Sequence, residues 1–287
     1  MILITGATGT TGREVVAELH RLGAKGVRAL VRDPARADFI RAAGFETVAG
    51  DFEKPETLGA ALEGVERALL LTPPSPQTVE HNRAFVEAAA GAGVRHVVKL
   101  SAIGADSGAP EGFARWHGQA EESLKSSGVA WTMLRPNFFM QNLLGQAHQI
   151  AATGRIVQAV GDARISFVDV RDIAAVAARA LTEEGHEGQT YTLTGPEALS
   201  YAEVAARLSE AAGRDIAYVP ITPEQFREGA LAAGLPEWLV SALERLNEIF
   251  ASGRAAEVTD AVRRVGRKEP TTFEQFARDY AEAFNGE

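Results

Sequence analysis

A glycine-rich segment near the N-terminus has the residue types and spacing of a phosphate-binding loop. Gly6, Gly9 and Gly12 follow the apolar stretch Ile2–Thr5 and precede an amphipathic stretch. Gly6 permits a tight turn, Gly9 lets backbone amides approach a pyrophosphate, and Gly12 lets a helix pack close to the strand. The segment predicts dinucleotide binding, with an ordinary strand-to-helix turn as the alternative. The residues predicted to contact the dinucleotide are Gly6, Thr8, Gly9, Thr10, Thr11 and Gly12.

A candidate nucleotide-specificity residue follows the second apolar stretch. An acidic residue about 20 residues beyond the glycines reads a ribose 2′-hydroxyl, whereas an arginine there accommodates a 2′-phosphate. The chain has Arg32, Asp33 and Pro34 at this point. Aspartate before proline is a good start for the next helix, so Arg32 is the better reader, and its guanidinium matches a phosphate. The sequence therefore favours NADP(H) over NAD(H), the alternative being that Arg32 is a solvated surface residue.

Two further segments follow predicted strands at the edge where ligands of such sheets bind. Asp51 has the position to accept a hydrogen bond from the adenine amino group, and Phe52 to flank the ring. A turn aspartate that caps a helix is the alternative for Asp51. Thr72, Pro73 and Pro74 begin a proline-rich stretch that would stiffen a wall beside the cofactor, or form only a rigid loop.

Alternating short apolar and longer alanine-rich stretches in the first half of the chain must position these residues. The pattern predicts βαβ units and an α/β fold with a doubly wound parallel sheet. The predicted strands are Ile2–Thr5, Val27–Val31, Glu46–Ala49, Arg67–Leu71, His96–Leu100 and Trp131–Leu134. The predicted helices between them are Thr11–Arg21, Ala35–Ala43, Pro55–Leu62, Thr78–Ala90 and Phe113–Ser126.

The pattern changes after about residue 145. Arg155–Gln158 and Ile165–Val168 resemble isolated strands, and Val170–Leu181 resembles a helix. Capping sequences at Ser200, Thr222 and Thr272 then predict further helices. We therefore expect a cofactor-binding domain over residues 1–150, with sheet contributions from about 155–195, and a smaller, mostly helical lobe over residues 151–287 that forms a substrate cleft.

Composition excludes several classes of function. Twenty-nine basic against 38 acidic residues give a net charge of −9, which opposes binding to nucleic acid or to an anionic membrane. The absence of cysteine excludes disulfides and thiolate metal sites, and the six histidines show no paired ligand spacing, so we expect no metal. No apolar run approaches the roughly 18 residues of a membrane span, and the first residues lack a basic signal-peptide region. We expect a cytoplasmic protein with a small-molecule partner.

These motifs, together with Ser101–Gly104, the His117/Glu121 pair and Leu134–Asn142, resemble the atypical short-chain dehydrogenases of the NmrA-like family. The resemblance covers nearly the whole chain and is closest to the subgroup of quinone and triphenylmethane-dye reductases. It implies a Rossmann domain that binds NADP(H), with Arg32 at the 2′-phosphate and the Thr72–Ser75 loop along the cofactor. It also implies that Asn137–Asn142 lie near the nicotinamide end. Within that segment Asn137 has an amide to offer the nicotinamide, and Phe138 and Phe139 have rings for its flat face or for an aromatic acceptor, the alternative being that both rings belong to the core.

The resemblance has one departure that bears on chemistry. Short-chain dehydrogenases use a tyrosine and a lysine one helical turn apart to protonate an alkoxide, and His117 and Glu121 stand at those positions here. Hydride transfer to a ketone needs a proton donor, whereas a quinone gives a stabilised anion and a triarylmethyl cation needs only hydride. The tyrosines, all outside the fifth βα unit, are Tyr191, Tyr201, Tyr218 and Tyr280.

Two functional hypotheses follow. The first is an NADPH-dependent reductase of flat, electron-poor acceptors such as quinones or triarylmethane dyes, with His117 and Ser101 as catalytic residues. The second is a non-catalytic NADP(H)-binding redox sensor that acts through a protein partner, in which both residues are structural. Lys99 shares the strand face of Ser101, but it reaches solvent equally well in this pattern and is not a predicted site residue. The sequence does not determine the oligomeric state, and a homodimer is a candidate because closed homodimers are common.

Overall fold

A parallel sheet positions the glycine loop. In the computed structural model, which describes residues 1–285, seven strands form a sheet in the order β3-β2-β1-β4-β5-β6-β8, and β7 pairs with β9. Five neighbouring pairs of the large sheet, from β3 to β6, are parallel. The strands are β1 (Ile2–Ile4), β2 (Val27–Val31), β3 (Glu46–Ala49), β4 (Arg67–Leu70), β5 (His96–Leu100), β6 (Ala130–Pro136), β7 (Arg155–Gln158), β8 (Gln189–Leu193) and β9 (Ala217–Pro220). The strand order reverses between β1 and β4, so the α/β doubly wound class predicted from the sequence is confirmed.

Short 3₁₀ helices and α-helices accompany these strands. Short 3₁₀ helices cover Pro34–Arg36, Pro55–Thr57, Met140–Gln146 and Ala281–Phe284. The α-helices are α1 (Thr10–Arg21), α2 (Asp38–Ala42), α3 (Leu58–Leu62), α4 (Thr78–Gly91), α5 (Phe113–Ser126), α6 (Ala147–Thr153), α7 (Val170–Thr182), α8 (Tyr201–Ala212), α9 (Pro223–Ala232), α10 (Glu237–Ala251), α11 (Ala261–Gly266) and α12 (Phe273–Asp279).

The first of two structural units contains the large sheet. It comprises Met1–Pro136, Val170–Thr192 and Ala261–Lys268. Its strands are nearly continuous runs of buried apolar residues because helices cover both faces of a parallel sheet. The alanine-rich helix α7 is almost wholly buried, and its small side chains let α1 and α11 pack closely on it.

The second unit is mostly helical. It comprises Asn137–Asp169, Leu193–Asp260 and the described part of Glu269–Glu287. Ser200 and Thr222 each form the predicted capping box, and Thr272 accepts a hydrogen bond from the backbone of Gln275. The aromatic residues fully buried in its core are Phe167, Tyr201, Phe250, Phe273, Phe276 and Phe284.

The structure departs from the sequence prediction in two places. The predicted helix Ala35–Ala43 divides into a 3₁₀ turn and α2, because buried Ala37 leaves helical geometry. Residues 165–168 form isolated bridges rather than a strand. Within the structure, α7 and α11 pack in the first unit.

Two negative findings concern residues 1–285. No helix in this part of the chain combines the length and apolar character needed to cross a membrane. The same residues contain no group of three or more histidine, cysteine, aspartate or glutamate side chains arranged to hold a metal ion.

Candidate active site

The glycine loop leaves β1 at the point where the strand order reverses. Leu71, just beyond β4, donates its backbone N–H to Thr5 Oγ1 at 2.8 Å, which ties the two strand ends together. Gly6 has φ of 62°, and a Cβ there would lie 2.5 Å from Leu71 Cδ2. A Cβ on Gly12 would lie 2.1 Å from Gly6 O. The fold therefore requires glycine at both of these positions.

Gly9 differs from the other two glycines. A Cβ there would meet nothing closer than Gly6 O at 3.4 Å, which is ordinary van der Waals contact, and its backbone is extended. Gly9 and its neighbours Thr8 and Thr10 are exposed, at the N-terminus of α1. The fold would tolerate a side chain at this position. Glycine is therefore not needed for folding here, and the space above its backbone is open to a ligand. The loop therefore fits a pyrophosphate held by backbone N–H groups.

The segment after β2 keeps a free cation at the surface. Asp33 accepts a hydrogen bond from Ala35 N at 3.0 Å, which confirms its predicted capping role. Arg32 is exposed and forms no ion pair with any residue in the described part of the chain. Arg13, which directly follows Gly12, has its guanidinium 4.2 Å above the Phe39 ring. Arg32 is thus available for a phosphate.

The residues predicted to surround the adenine have local contacts of their own. Asp51 accepts a hydrogen bond from Glu53 N at 3.1 Å, as a turn aspartate does. Phe52 is half-buried, with its ring centroid 6.0 Å from that of Phe85 and 5.9 Å from that of His81. Their contact with adenine stays a prediction.

The loop after β4 lies next to the glycine loop, and buried polar atoms lie in this loop and in the first turns of α4. Asn82 donates to Thr72 Oγ1 at 3.0 Å, while Pro73 and Pro74 are exposed. Three buried atoms here have no hydrogen-bond partner among residues 1–285: Ser75 Oγ, His81 Nδ1 and Asn82 Oδ1. Unpaired buried polar atoms are uncommon in native proteins and indicate a missing partner. Their place beside the glycine loop fits a polar ligand along this edge.

Ser101 and Glu121 form the inner part of a buried charged cluster. Ser101 Oγ donates to Glu121 Oε1 at 2.6 Å, and Arg135 holds both carboxylate oxygens, at 2.8 and 2.6 Å. Lys125 adds a contact at 3.3 Å. Burial alone would raise the pKa of Glu121, but the hydrogen bonds from Arg135 and Ser101 outweigh it and lower the pKa. Glu121 is therefore an ionised, structural carboxylate, and the Ser101 proton is committed to it.

Lys99 and His117 form a second pair beside that cluster. Lys99 is fully buried, and its Nζ lies 3.1 Å from Leu100 O and 3.4 Å from His117 Nδ1. Burial lowers the pKa of Lys99 to about 8, against the opposing charge of Glu121. Burial and the Lys99 charge hold the pKa of His117 well below its ordinary range. His117 is thus a neutral imidazole facing a cation at Nδ1. Sequence reasoning missed Lys99 because strand parity alone does not reveal that α5 covers it.

Asn137, Phe138 and Phe139 belong to the second unit. The Asn137 amide is buried and donates to Ser166 Oγ at 2.7 Å and Ala255 O at 2.8 Å. Phe138 packs edge-to-face with Phe167 and Phe250, which places its ring against the apolar core. Phe139 is half-buried and bridges to Val168 through its backbone. These contacts give the segment an interior role, and its contact with a nicotinamide stays a prediction.

Comparisons with known proteins agree with this geometry. The NAD(P)H-binding family matches residues 6–184. The chain is 45% identical to an NAD(P)H azoreductase of Xenophilus azovorans, over 99% of both chains. It is similar to the NADPH complex of an NADPH-dependent quinone oxidoreductase from Escherichia coli, with 30% identity, a TM-score of 0.89 and coverage of 97% of this chain and 99% of the other. It is also similar to a Citrobacter triphenylmethane reductase complexed with NADP(H), with 27% identity, a TM-score of 0.85 and coverage of 98% and 100%.

Proposed function

Because the chain belongs to the NAD(P)H-binding family, we propose that it is an NADPH-dependent reductase of flat, electron-poor aromatic acceptors. Quinones and azo dyes are the leading acceptor classes, and triarylmethane dyes are the third. The observation that carries the proposal is Gly9, a glycine that the fold itself does not need on an exposed loop. Similarity to reductases along nearly the full chain supports it.

The cofactor would lie along the edge where β1 and β4 end. Backbone N–H groups of the Gly6–Gly12 loop would hold the pyrophosphate, and exposed Arg32 would bind the 2′-phosphate. The other proposed contacts are Asp51, Phe52, Thr72, Pro73, Pro74, Asn137, Phe138 and Phe139. NADPH bound there would supply a hydride.

The acid–base residues of the first unit favour acceptors that need little proton donation. Glu121 stays ionised and holds the Ser101 hydroxyl, so neither donates a proton to an acceptor. His117 is half-buried, neutral and the remaining donor of the predicted pair. Quinones and azo bonds take one hydride and one proton, whereas a triarylmethyl cation takes the hydride alone. Such acceptors suit a site with a strong hydride donor and modest acid catalysis.

The charge of the protein bears on its partners. The net charge of −9 disfavours nucleic acid and anionic membranes as partners. We propose a cytoplasmic enzyme whose partner is a small aromatic molecule, with a homodimer as its candidate assembly.

The test is absorbance at the reduced-nicotinamide band with NADPH or NADH and one acceptor of each class. We expect oxidation of NADPH only when an acceptor is present, and a lower rate with NADH. Omitting the acceptor controls for direct oxidation. Folded protein that binds NADPH but reduces none of the three classes would contradict the reductase and favour the sensor.

A further inference from the structure

We infer that Lys99 is the proton reservoir of this site: it supplies, through His117, the proton that quinone and azo acceptors take up. The inference rests on the proposed reductase function and adds the source of its proton. Lys99 acts through His117 and contacts neither acceptor nor cofactor, because its side chain is fully buried.

The geometry of β5 and α5 separates two functions. Lys99 in β5 and Ser101 just after it lie two residues apart, and His117 and Glu121 lie four apart on one face of α5. Ser101 contacts Glu121 at 2.6 Å, and Lys99 lies 3.4 Å from His117 Nδ1. The first contact is a closed ion cluster. The second joins a buried cation to a half-buried ring, which is the arrangement of a proton path from the interior toward the surface.

The direction of the path follows from hydrogen-bond chemistry. An ammonium group has only donors, so His117 Nδ1 facing it must be the unprotonated, accepting nitrogen. Neutral imidazole then carries its proton on Nε2, and no residue in the described part of the chain bonds that atom. His117 therefore presents one N–H away from Lys99.

The surroundings of Lys99 keep its side chain protonated near neutral pH. Glu121 favours the ammonium form, while burial lowers the pKa of Lys99 to about 8. Its register partners on the neighbouring strands, Leu70 and Met133, do not titrate. Glu121 is the charged group that acts on Lys99, and Lys99 is the one that acts on His117. Glu121 is in turn paired with Arg135 and Lys125, and Asp106 acts on Arg135.

Protons pass from Lys99 through His117 to the acceptor. Beside the hydride that bound NADPH would supply, the acceptor would take one proton from His117 Nε2, so the Nε2–H bond would break and an O–H or N–H bond would form on the acceptor. His117 Nδ1 takes a proton from Lys99 Nζ, and the ammonium becomes an amine. After the product leaves, solvent protonates Nε2 and the Nδ1 proton returns to Lys99. A triarylmethyl cation takes the hydride alone and uses none of these steps.

The test compares acceptors in Lys99→Met and Lys99→Gln. With a quinone, we expect kcat to fall about tenfold or more in both variants, as for loss of a general acid. With a triarylmethane dye, we expect kcat within about twofold of the unsubstituted protein, which also serves as the folding control. Lys25→Met removes an exposed lysine that is distant from Lys99 in the sequence, and it should change neither rate. In the unsubstituted protein, quinone kcat should fall as pH rises through about 8, and dye kcat should not.

Other outcomes overturn the inference. Equal loss with both acceptors, or no loss with either, would show that Lys99 supplies no proton. Recovery of the quinone rate in Lys99→Gln, whose amide still donates a hydrogen bond, would reduce Lys99 to positioning His117. An unsubstituted protein that reduces no acceptor would overturn both the proposed function and this inference. The outcomes above overturn only the inference, because in them the unsubstituted protein is an active reductase.

A readout without turnover tests the contact itself. Nitrogen-15 shifts of the His117 ring in cofactor-free protein report which nitrogen carries the proton. We expect protonated Nε2 and unprotonated Nδ1 in the unsubstituted protein, and a shift toward protonated Nδ1 in Lys99→Met. Identical ring shifts in both proteins would overturn the Lys99–His117 link.

Discussion

Ser101 donates its hydroxyl proton to Glu121 across 2.6 Å, and both side chains are almost completely buried. The hydroxyl at the end of β5 is therefore turned toward α5 and serves the ion cluster. Arg135 completes the cluster from β6, so one carboxylate links a helix to two adjacent strands. Because this contact uses the Ser101 hydroxyl proton, we expect Ser101 to position Glu121 rather than to contact a substrate.

Replacing Ser101 by alanine should lower stability more than catalysis. Loss of a hydrogen bond to a buried carboxylate costs about 1.5–3 kcal/mol in unfolding free energy. We expect kcat with a quinone to fall less than about threefold, because the proton path through His117 is intact. Denaturant unfolding and steady-state kinetics measure the two effects. Ser101→Thr, which keeps the hydroxyl, is the control, and a large kcat loss at unchanged stability would restore the catalytic role predicted from the sequence.

Replacing Gly9 by alanine should separate cofactor binding from folding. The new Cβ has ordinary contacts within the protein but would occupy the space of a pyrophosphate. We expect the Kd for NADPH to rise about tenfold or more, with an unfolding midpoint near that of the unsubstituted protein.

Gly6→Ala provides the contrast. Its Cβ would lie 2.9 Å from Leu71 O at positive φ, so this variant should be destabilised even without a ligand. Calorimetry of NADPH binding and thermal unfolding test both variants. Unchanged NADPH affinity in folded Gly9→Ala would mean that this loop does not hold the pyrophosphate.

Local patterns predicted most of the fold because the strands of a covered parallel sheet are continuous apolar runs. The strands β1 to β6 and the helix Val170–Thr182 appear within two residues of their predicted limits. The place of α11 in the first unit was not predictable, because it depends on packing against α7 across about a hundred residues of sequence. Such long-range contacts leave no periodicity in the segment itself.

The candidate site was predictable in its residues and not in its pairings. Parity placed Lys99 with Ser101, and helical spacing placed His117 with Glu121. The relative register of α5 and β5 decides which side chain meets which, and neither pattern contains that register. The contribution of Arg135 depends on the neighbouring strand β6. The separation into an ion cluster and a proton path therefore emerges only from the three-dimensional structure.

Replacing Arg32 by alanine should narrow the preference for NADPH over NADH. A charge-assisted hydrogen bond to the 2′-phosphate contributes about 1.5–3 kcal/mol, or roughly 10- to 150-fold in affinity, and NADH lacks that phosphate. We expect KM for NADPH to rise by such a factor and KM for NADH to stay within about twofold. Arg41→Ala is the matched control, because this exposed arginine of α2 is already paired with Asp38. Equal changes for both cofactors would place Arg32 outside the 2′-phosphate site.

Buried His96 should make the protein acid-sensitive. Thr132 donates its hydroxyl proton to His186 O, so His96 Nε2 must donate to Thr132 Oγ1 at 2.8 Å, and Nδ1 has no partner among the described residues. Burial lowers the pKa of His96 to about 4 in the folded protein. Its unfolded value lies near 6.5, so between these two pH values the unfolded chain binds more protons. The His96 contribution to stability should thus fall by roughly 2–3 kcal/mol from pH 7 to pH 4.

His96→Gln tests this dependence, because its uncharged amide still has a donor for Thr132. We expect a shallower loss of unfolding free energy between pH 6.5 and 4 than in the unsubstituted protein, measured by urea titration at each pH. His148→Gln, at an exposed position, should keep the original slope. Parallel pH profiles for His96→Gln and the unsubstituted protein would mean that His96 is protonated in the folded state at little cost. The acid sensitivity would then belong to carboxylates such as Glu121, whose lowered pKa makes its ionised form stabilising above pH 4.5 and loses that effect as pH falls further.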